Sequence, residues 1–150
     1  MAIEVTSGPW HVDEIERWLQ ETLIPVRLAT SGIRGPLVQS LWYFFEDGAL
    51  WCATQRESVV AQRVRRDSRV GWEISPDQPP YRGVRGQGTV EIVDDSRRAE
   101  EVLCKLIDRY GQSGTDLEAW LLGRVSTEIA LRITDLTATS WDFSRRMADR

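Results

Sequence analysis

The sequence predicts an antiparallel β-barrel with helices packed at its ends, a mainly β fold of the α+β type. Three observations carry this. Alternating apolar segments are joined by glycine- and proline-marked turns, adjacent hairpins dominate, and no regular β–α–β alternation is present. The chain has 150 residues, the size of one domain spanning 1–150, with 1–23 expected to form an N-terminal helical segment packed on the barrel.

His11 to Thr22 carries Val12, Ile15, Trp18 and Leu19 at helical spacing, and Pro25 ends that pattern. Pro25–Thr30 alternates as a strand, and Ser31–Gly35 reads as a turn. Pro36–Phe45 is rich in branched and aromatic residues, and Glu46-Asp47-Gly48 turns it back into a strand over Ala49–Thr54. Thr54-Gln-Arg-Glu57 predicts a capping box opening a helix through Arg66. Arg69–Ile74 is strand-like, and the prolines of Ser75–Pro80 require an exposed loop near the mouth of any pocket. Tyr81–Val93 alternates as a long strand, with Gly83, Gly86 and Gly88 marking a bulge or a close approach by another backbone or ligand. Ser96–Tyr110 is helical, Thr115-Asp-Leu-Glu118 caps a short helix through Leu122, and Glu128–Thr134 and Thr137–Phe143 are final strand segments. Trp141, ending the last of these, is expected in the core or in a contact between subunits.

Composition excludes several function classes. A formal net charge of −4 argues against a nucleic-acid surface, which needs a cationic excess. The N-terminus has an early acid, Glu4, and no long apolar run, so neither a signal peptide nor a membrane span is expected, and the reading is a cytoplasmic protein. Cys52 and Cys104 lack a paired spacing and are expected as small buried thiols. Seven tryptophans point to a large core, an interface, or a stacking platform for a planar ligand. The aromatics of Leu41–Phe45 would line both faces of a sheet; one face enters the barrel, and the other calls for a partner, hence a homodimer.

Nucleophilic and metal chemistry find little support. His11 is the only histidine and reads as a surface or capping residue, no Ser lies in a G-x-S-x-G elbow, and no metal-ligand cluster exists. Asp94-Asp95 reads as a helix entry. The glycines of 83–88 lie inside a strand and make no phosphate loop. The informative segment is Val38–Arg66. A two-faced strand, a hairpin and a helix start bring Thr54, Arg56 and Ser58 together as an anion site, unless Thr54 and Glu57 only cap the helix.

In order, Ile24–Thr30, Gly35-Pro36, Leu41–Gly48, Thr54 with Ser58, Arg65–Val70, Pro80–Val84, Gly88 and Ser140-Trp-Asp142 resemble the pyridoxamine 5'-phosphate oxidase-like, FMN-binding split-barrel proteins. The resemblance covers Ile24 to Met147. It implies a six-stranded antiparallel split β-barrel with flanking helices, an obligate homodimer, and two flavin sites built from both subunits. It places the ring along Val38, Gln39, Ser40 and Leu41, ending at Trp42, and the phosphate at Thr54 and Ser58 with Val59 and Val60. Two departures stand out. Val60 replaces a lysine common in the family. The true oxidase has an arginine opening the ring strand and a lysine closing it, where this chain has Leu37-Val38 and Trp42-Tyr43. Oxidation of a vitamin B6 phosphate is therefore not expected, and Arg56 or Arg63, preferably Arg63, is the candidate phosphate cation. The expected function is FMN-dependent oxidoreduction of a small-molecule substrate, without a protein acid–base dyad because the ring carries the chemistry. The alternatives are a deazaflavin-dependent reductase and a non-enzymatic flavin or haem binder.

Overall fold

A computed structural model describes residues 3–148; Met1, Ala2, Asp149 and Arg150 lie outside the described residues. In chain order the elements are β1 (Glu4–Ser7), α1 (Val12–Glu21), β2 (Val26–Thr30), β3 (Leu37–Leu41), β4 (Phe44–Glu46), β5 (Ala49–Gln55), α2 (Val59–Arg66), β6 (Arg69–Ile74), β7 (Arg82–Val93), α3 (Ser96–Arg109), α4 (Asp116–Leu122), β8 (Glu128–Asp142) and α5 (Ser144–Ala148). A single 3₁₀ turn, Val125–Thr127, leads into β8.

The sheet runs β3-β2-β6-β7-β8-β5-β4, all antiparallel, with β1 added parallel to β8. This is a curled, mainly β half-barrel with flanking helices, as predicted, but its path holds seven strands where six were expected. The segment 36–45 breaks at Trp42-Tyr43, and its two halves pair with different neighbours. β3 joins β2 at one edge, and β4 joins β5 at the other. Because β3 and β4 are consecutive in the chain, the two sheet edges meet at this bend. The ladders do not, and a split remains between β3 and β5.

The main core fills the barrel with Val26, Leu28, Trp72, Ile74, Val84, Leu131 and Ile133, and α1 closes one end through Ile15 and Leu19. A second cluster lies outside the sheet, where Val102 and Leu106 of α3 cover Phe44, Trp51 and Ala130. This corrects the expectation for Leu41–Phe45. Tyr43 enters the barrel core, while Phe44 and Trp42 meet α3 and Tyr110, the latter pair stacked at 4.8 Å. The second face of that strand is covered by the same chain. Two indoles packed on this core find the acceptors they need. Trp18 Nε1 donates to Ile74 O at 3.0 Å and Trp72 Nε1 to Gln87 O at 3.1 Å.

Helix α1 ends without a glycine cap, so its last carbonyls need other donors. Tyr43 Oη donates to Leu19 O at 2.8 Å, and Arg109 donates to Leu19, Gln20 and Thr22 carbonyls. The glycines of β7 act as predicted. A Cβ on Gly86 would overlap the carbonyl of Thr137, and the β7–β8 register shifts between Gln87 and Thr89. β8 is one 15-residue strand, not two segments; Asp135 absorbs the break with φ of 51°.

Several smaller expectations are corrected. Cys52 is buried and its thiol is pushed up to about 12 by desolvation, but Cys104 is exposed on α3. Trp141 is half-buried and belongs to neither core cluster, with the Arg85 guanidinium 5.6 Å from its ring centroid. Asp77–Tyr81 is exposed as predicted. No helix among the described residues is long and apolar enough to cross a membrane.

Candidate functional site

Helix α2 begins later than the sequence pattern implied. Thr54 and Gln55 still belong to β5, where Thr54 pairs with Ile129 and Gln55 with Glu128. The cap is Ser58, whose Oγ accepts from Ala61 N at 3.1 Å. Thr54-x-x-Glu57 is therefore no capping box. The β-ladder to β8 holds this stretch extended, and the helix starts only once that ladder has ended.

The proposed phosphate residues lie together in the short junction between β5 and α2. Thr54 is the penultimate residue of β5, Ser58 caps α2, and Val59 is half-exposed in its first turn. Val60 is a correction: it is 2% exposed within the core, so its side chain is unavailable to a ligand.

The two candidate cations have different neighbours. Arg63 points toward the β2–β3 turn, where its Nε donates to Thr30 Oγ1 at 3.0 Å and its Nη2 to Gly35 O at 2.6 Å. Arg56 forks onto Asp94, with Nη2 to Oδ1 at 2.8 Å and Nε to both carboxylate oxygens at 3.1 Å. That hydrogen bond holds the Asp94 carboxyl below the usual range. Asp94 is thus a partner for Arg56, while Asp95 alone caps α3 through Arg97 N and Arg98 N.

The ring-strand residues Val38, Gln39, Ser40 and Leu41 form most of β3, which is the free edge of the sheet among the described residues. One side of its backbone pairs with β2; the other faces the split. Val38 and Ser40 are exposed, Gln39 and Leu41 half-buried, and Gln39 Oε1 is buried without a hydrogen-bond partner among the described residues. Across the split lies a pocket of about 290 Å³ whose lining joins Ser40, Leu41 and Trp42 to Ala53 of β5 and Leu121 of α4. Sequence reasoning missed one of its lining residues, Glu128. Its signal was weak, because an acid opening an alternating strand ordinarily faces solvent.

These parts fit a flavin. A free strand edge offers N–H and C=O groups to a planar ring. Two hydroxyls and a helix start offer donors to a phosphate, and next to them in the chain is the half-buried Arg56 guanidinium, paired with Asp94. No cluster of metal-ligating side chains is found among the described residues.

Residues 12–138 match the family model described as pyridoxamine 5'-phosphate oxidase. The chain belongs to that family. A conserved hypothetical protein of Mycobacterium tuberculosis is 27% identical, with a TM-score of 0.77 over 93% of this chain and 89% of that one. An F420 reductase shares the fold at 24% identity and a TM-score of 0.63, covering 77% of this chain and 89% of its own. A FAD-binding protein of Mesorhizobium loti does so at 20% identity and a TM-score of 0.63, covering 87% and 93%. No match is found among curated protein sequences.

Proposed function

We propose that this protein is a flavin-dependent oxidoreductase that holds FMN in the split between β3 and β5. What supports the reading is a chain of this family in which the free edge strand β3 lines one pocket with Ala53 of β5, and β5 leads within a few residues into the Ser58-capped helix α2. Bound there, the flavin supplies the hydride chemistry. The chain's part is to bind and orient it. Main-chain groups of Val38–Leu41 hydrogen-bond the ring edge, and Trp42, Leu41 and Leu121 keep water from one side of it. Thr54, Ser58 and Arg56 hold the phosphate, with Arg56 exchanging Asp94 for the stronger charge of the ligand. Arg63 acts indirectly, by fixing the turn that launches β3. The substrate is not a vitamin B6 phosphate, because the positions that would bind its phosphate are Leu37, Val38, Trp42 and Tyr43.

A deazaflavin is the second reading. It is favoured by the structural likeness to an F420 reductase and by exposed Arg65, Arg66 and Arg69 around the end of α2, which suit a long anionic tail. Fluorescence titration with FMN, riboflavin and F420 separates the two. FMN binding more tightly than riboflavin supports the phosphate site, F420 preference replaces FMN with the deazaflavin, and failure of all three removes the flavin reading.

The protein acts as a cytoplasmic homodimer, joined through the outer face of β3, β2, β6 and β7. Among the described residues no helix lines the groove on that face. It carries a groove of about 580 Å³ over Ala29 and Gly71, lined also by Arg27, Glu73 and Arg85, which stand opposite one another in neighbouring strands. Small residues permit close approach, and an alternating charge row is self-complementary under a two-fold axis. The two free thiols accord with a reducing compartment.

A further inference from the structure

Glu128 opens β8 opposite Gln55 and is 5% exposed. Its Oε1 accepts from Gln55 Nε2 at 2.9 Å, while Oε2 is buried with no hydrogen-bond partner among the described residues. Desolvation pushes this carboxyl up, against the opposing pull of the Gln55 hydrogen bond and the charge of Arg124. An unmet buried acceptor is costly, more so when charged. The Gln55 bond does not itself call for an acid, since a glutamine could accept it, and Arg124 acts on the carboxyl through its charge without a hydrogen bond to Oε2. The carboxyl lines the 290 Å³ pocket with Ser40, Leu41 and Trp42 of the ring strand, in a wall otherwise built largely of leucines from α3 and α4. A buried acceptor without a donor, in an apolar pocket beside a free strand edge, is a place prepared for a ligand's N–H.

We propose that Glu128 is the polar anchor of the ring slot, its Oε2 accepting a hydrogen bond from the imide N–H on the pyrimidine edge of the bound flavin. The inference rests on the flavin reading above. It assigns the pyrimidine edge to the Glu128 side of the split and makes Glu128 a specificity-determining residue for rings that carry such a donor.

The test compares FMN with N3-methyl-FMN, which has lost that donor, by fluorescence quenching on the wild-type protein, Glu128→Gln and Glu128→Leu. Thermal melting of each variant checks that it is folded. In Glu128→Gln the Gln55 contact can persist, but the atom replacing Oε2 is itself a donor. Wild-type protein should prefer FMN by about tenfold or more, as expected for a charge-assisted hydrogen bond. Both variants should bind the two ligands alike. Equal binding to the wild type, or a preference that survives in the variants, overturns the role of Glu128 and leaves the flavin reading standing. Failure of the wild type to bind FMN at all overturns both.

Discussion

Arg63 and Thr30 tie helix α2 to the turn that precedes the ring strand: Nε donates to Thr30 Oγ1 at 3.0 Å, and the same guanidinium reaches Gly35 O at 2.6 Å. Gly32 lies against this group so closely that a Cβ there would meet the guanidinium. Arg63→Ala should therefore act on the fold. A loss of about 1–3 kcal/mol is expected from breaking side-chain hydrogen bonds at a half-buried site, read from urea unfolding. Its effect on FMN affinity should be smaller than that of Arg56→Ala, whose own effect should vanish when riboflavin replaces FMN. A larger FMN defect in Arg63→Ala would return the phosphate to that side chain.

Gly86 is a second structural test. A methyl group there would collide with the Thr137 carbonyl across the β7–β8 ladder, and backbone on both sides leaves little room to yield. Gly86→Ala should cost about 1–3 kcal/mol or more. An unchanged urea midpoint would show that the two strands are further apart than the register requires.

The outer sheet face yields a third. Ala29 lies beside Gly71 in the ladder, and no described helix lines the groove over them. Ala29→Arg, adding a long cation at the centre of the proposed interface, should convert a sedimenting dimer to a monomer while leaving the melting of each subunit cooperative. A wild-type protein that sediments as a monomer at micromolar concentration would contradict the interface.

Legibility differed between fold and site, for physical reasons. Helix α3 could be read because Ala99, Val102, Leu103, Leu106 and Ile107 fall on one stripe, and all five are buried. The β7 glycines could be read because only a missing side chain tolerates so close a carbonyl. β1 escaped notice: its four residues are all exposed and carry no alternation, and only their pairing to β8 makes them a strand. The Thr54–Glu57 pattern misled because a capping box and the end of a paired strand can share the same residues, and the ladder to β8 decides between them. The partners of Arg56 and Arg63 lie 38 and 33 residues away in sequence, beyond any local signal. Glu128 could not be singled out either, since its isolation depends on where α4 comes to rest.

Glu128 also gives the protein a pH signature. Burial raises its folded-state pKa above the ordinary carboxylate value, so between those two values the native state holds more protons than the unfolded chain. Its contribution to stability is thus most favourable below the ordinary value and is lost as pH rises through the folded one. Glu128→Gln should melt above the wild type at pH 7, and the gap should close as pH falls to about 4, near the ordinary glutamate pKa. A gap that widens toward acid would mean that the carboxylate is stabilised where it lies.

The most direct test of the central claim is a backbone amide shift map of the ¹⁵N-labelled protein titrated with FMN. A flavin lying in the split should shift the amides of Val38–Leu41 on β3, Gln55–Val60 at the junction of β5 and α2, and Glu128 at the start of β8. The exposed Asp77–Tyr81 loop and α5 should stay still. Saturable shifts confined to the first group are the result predicted; no saturable shifts, or shifts that leave β3 and the start of α2 untouched, would contradict the site.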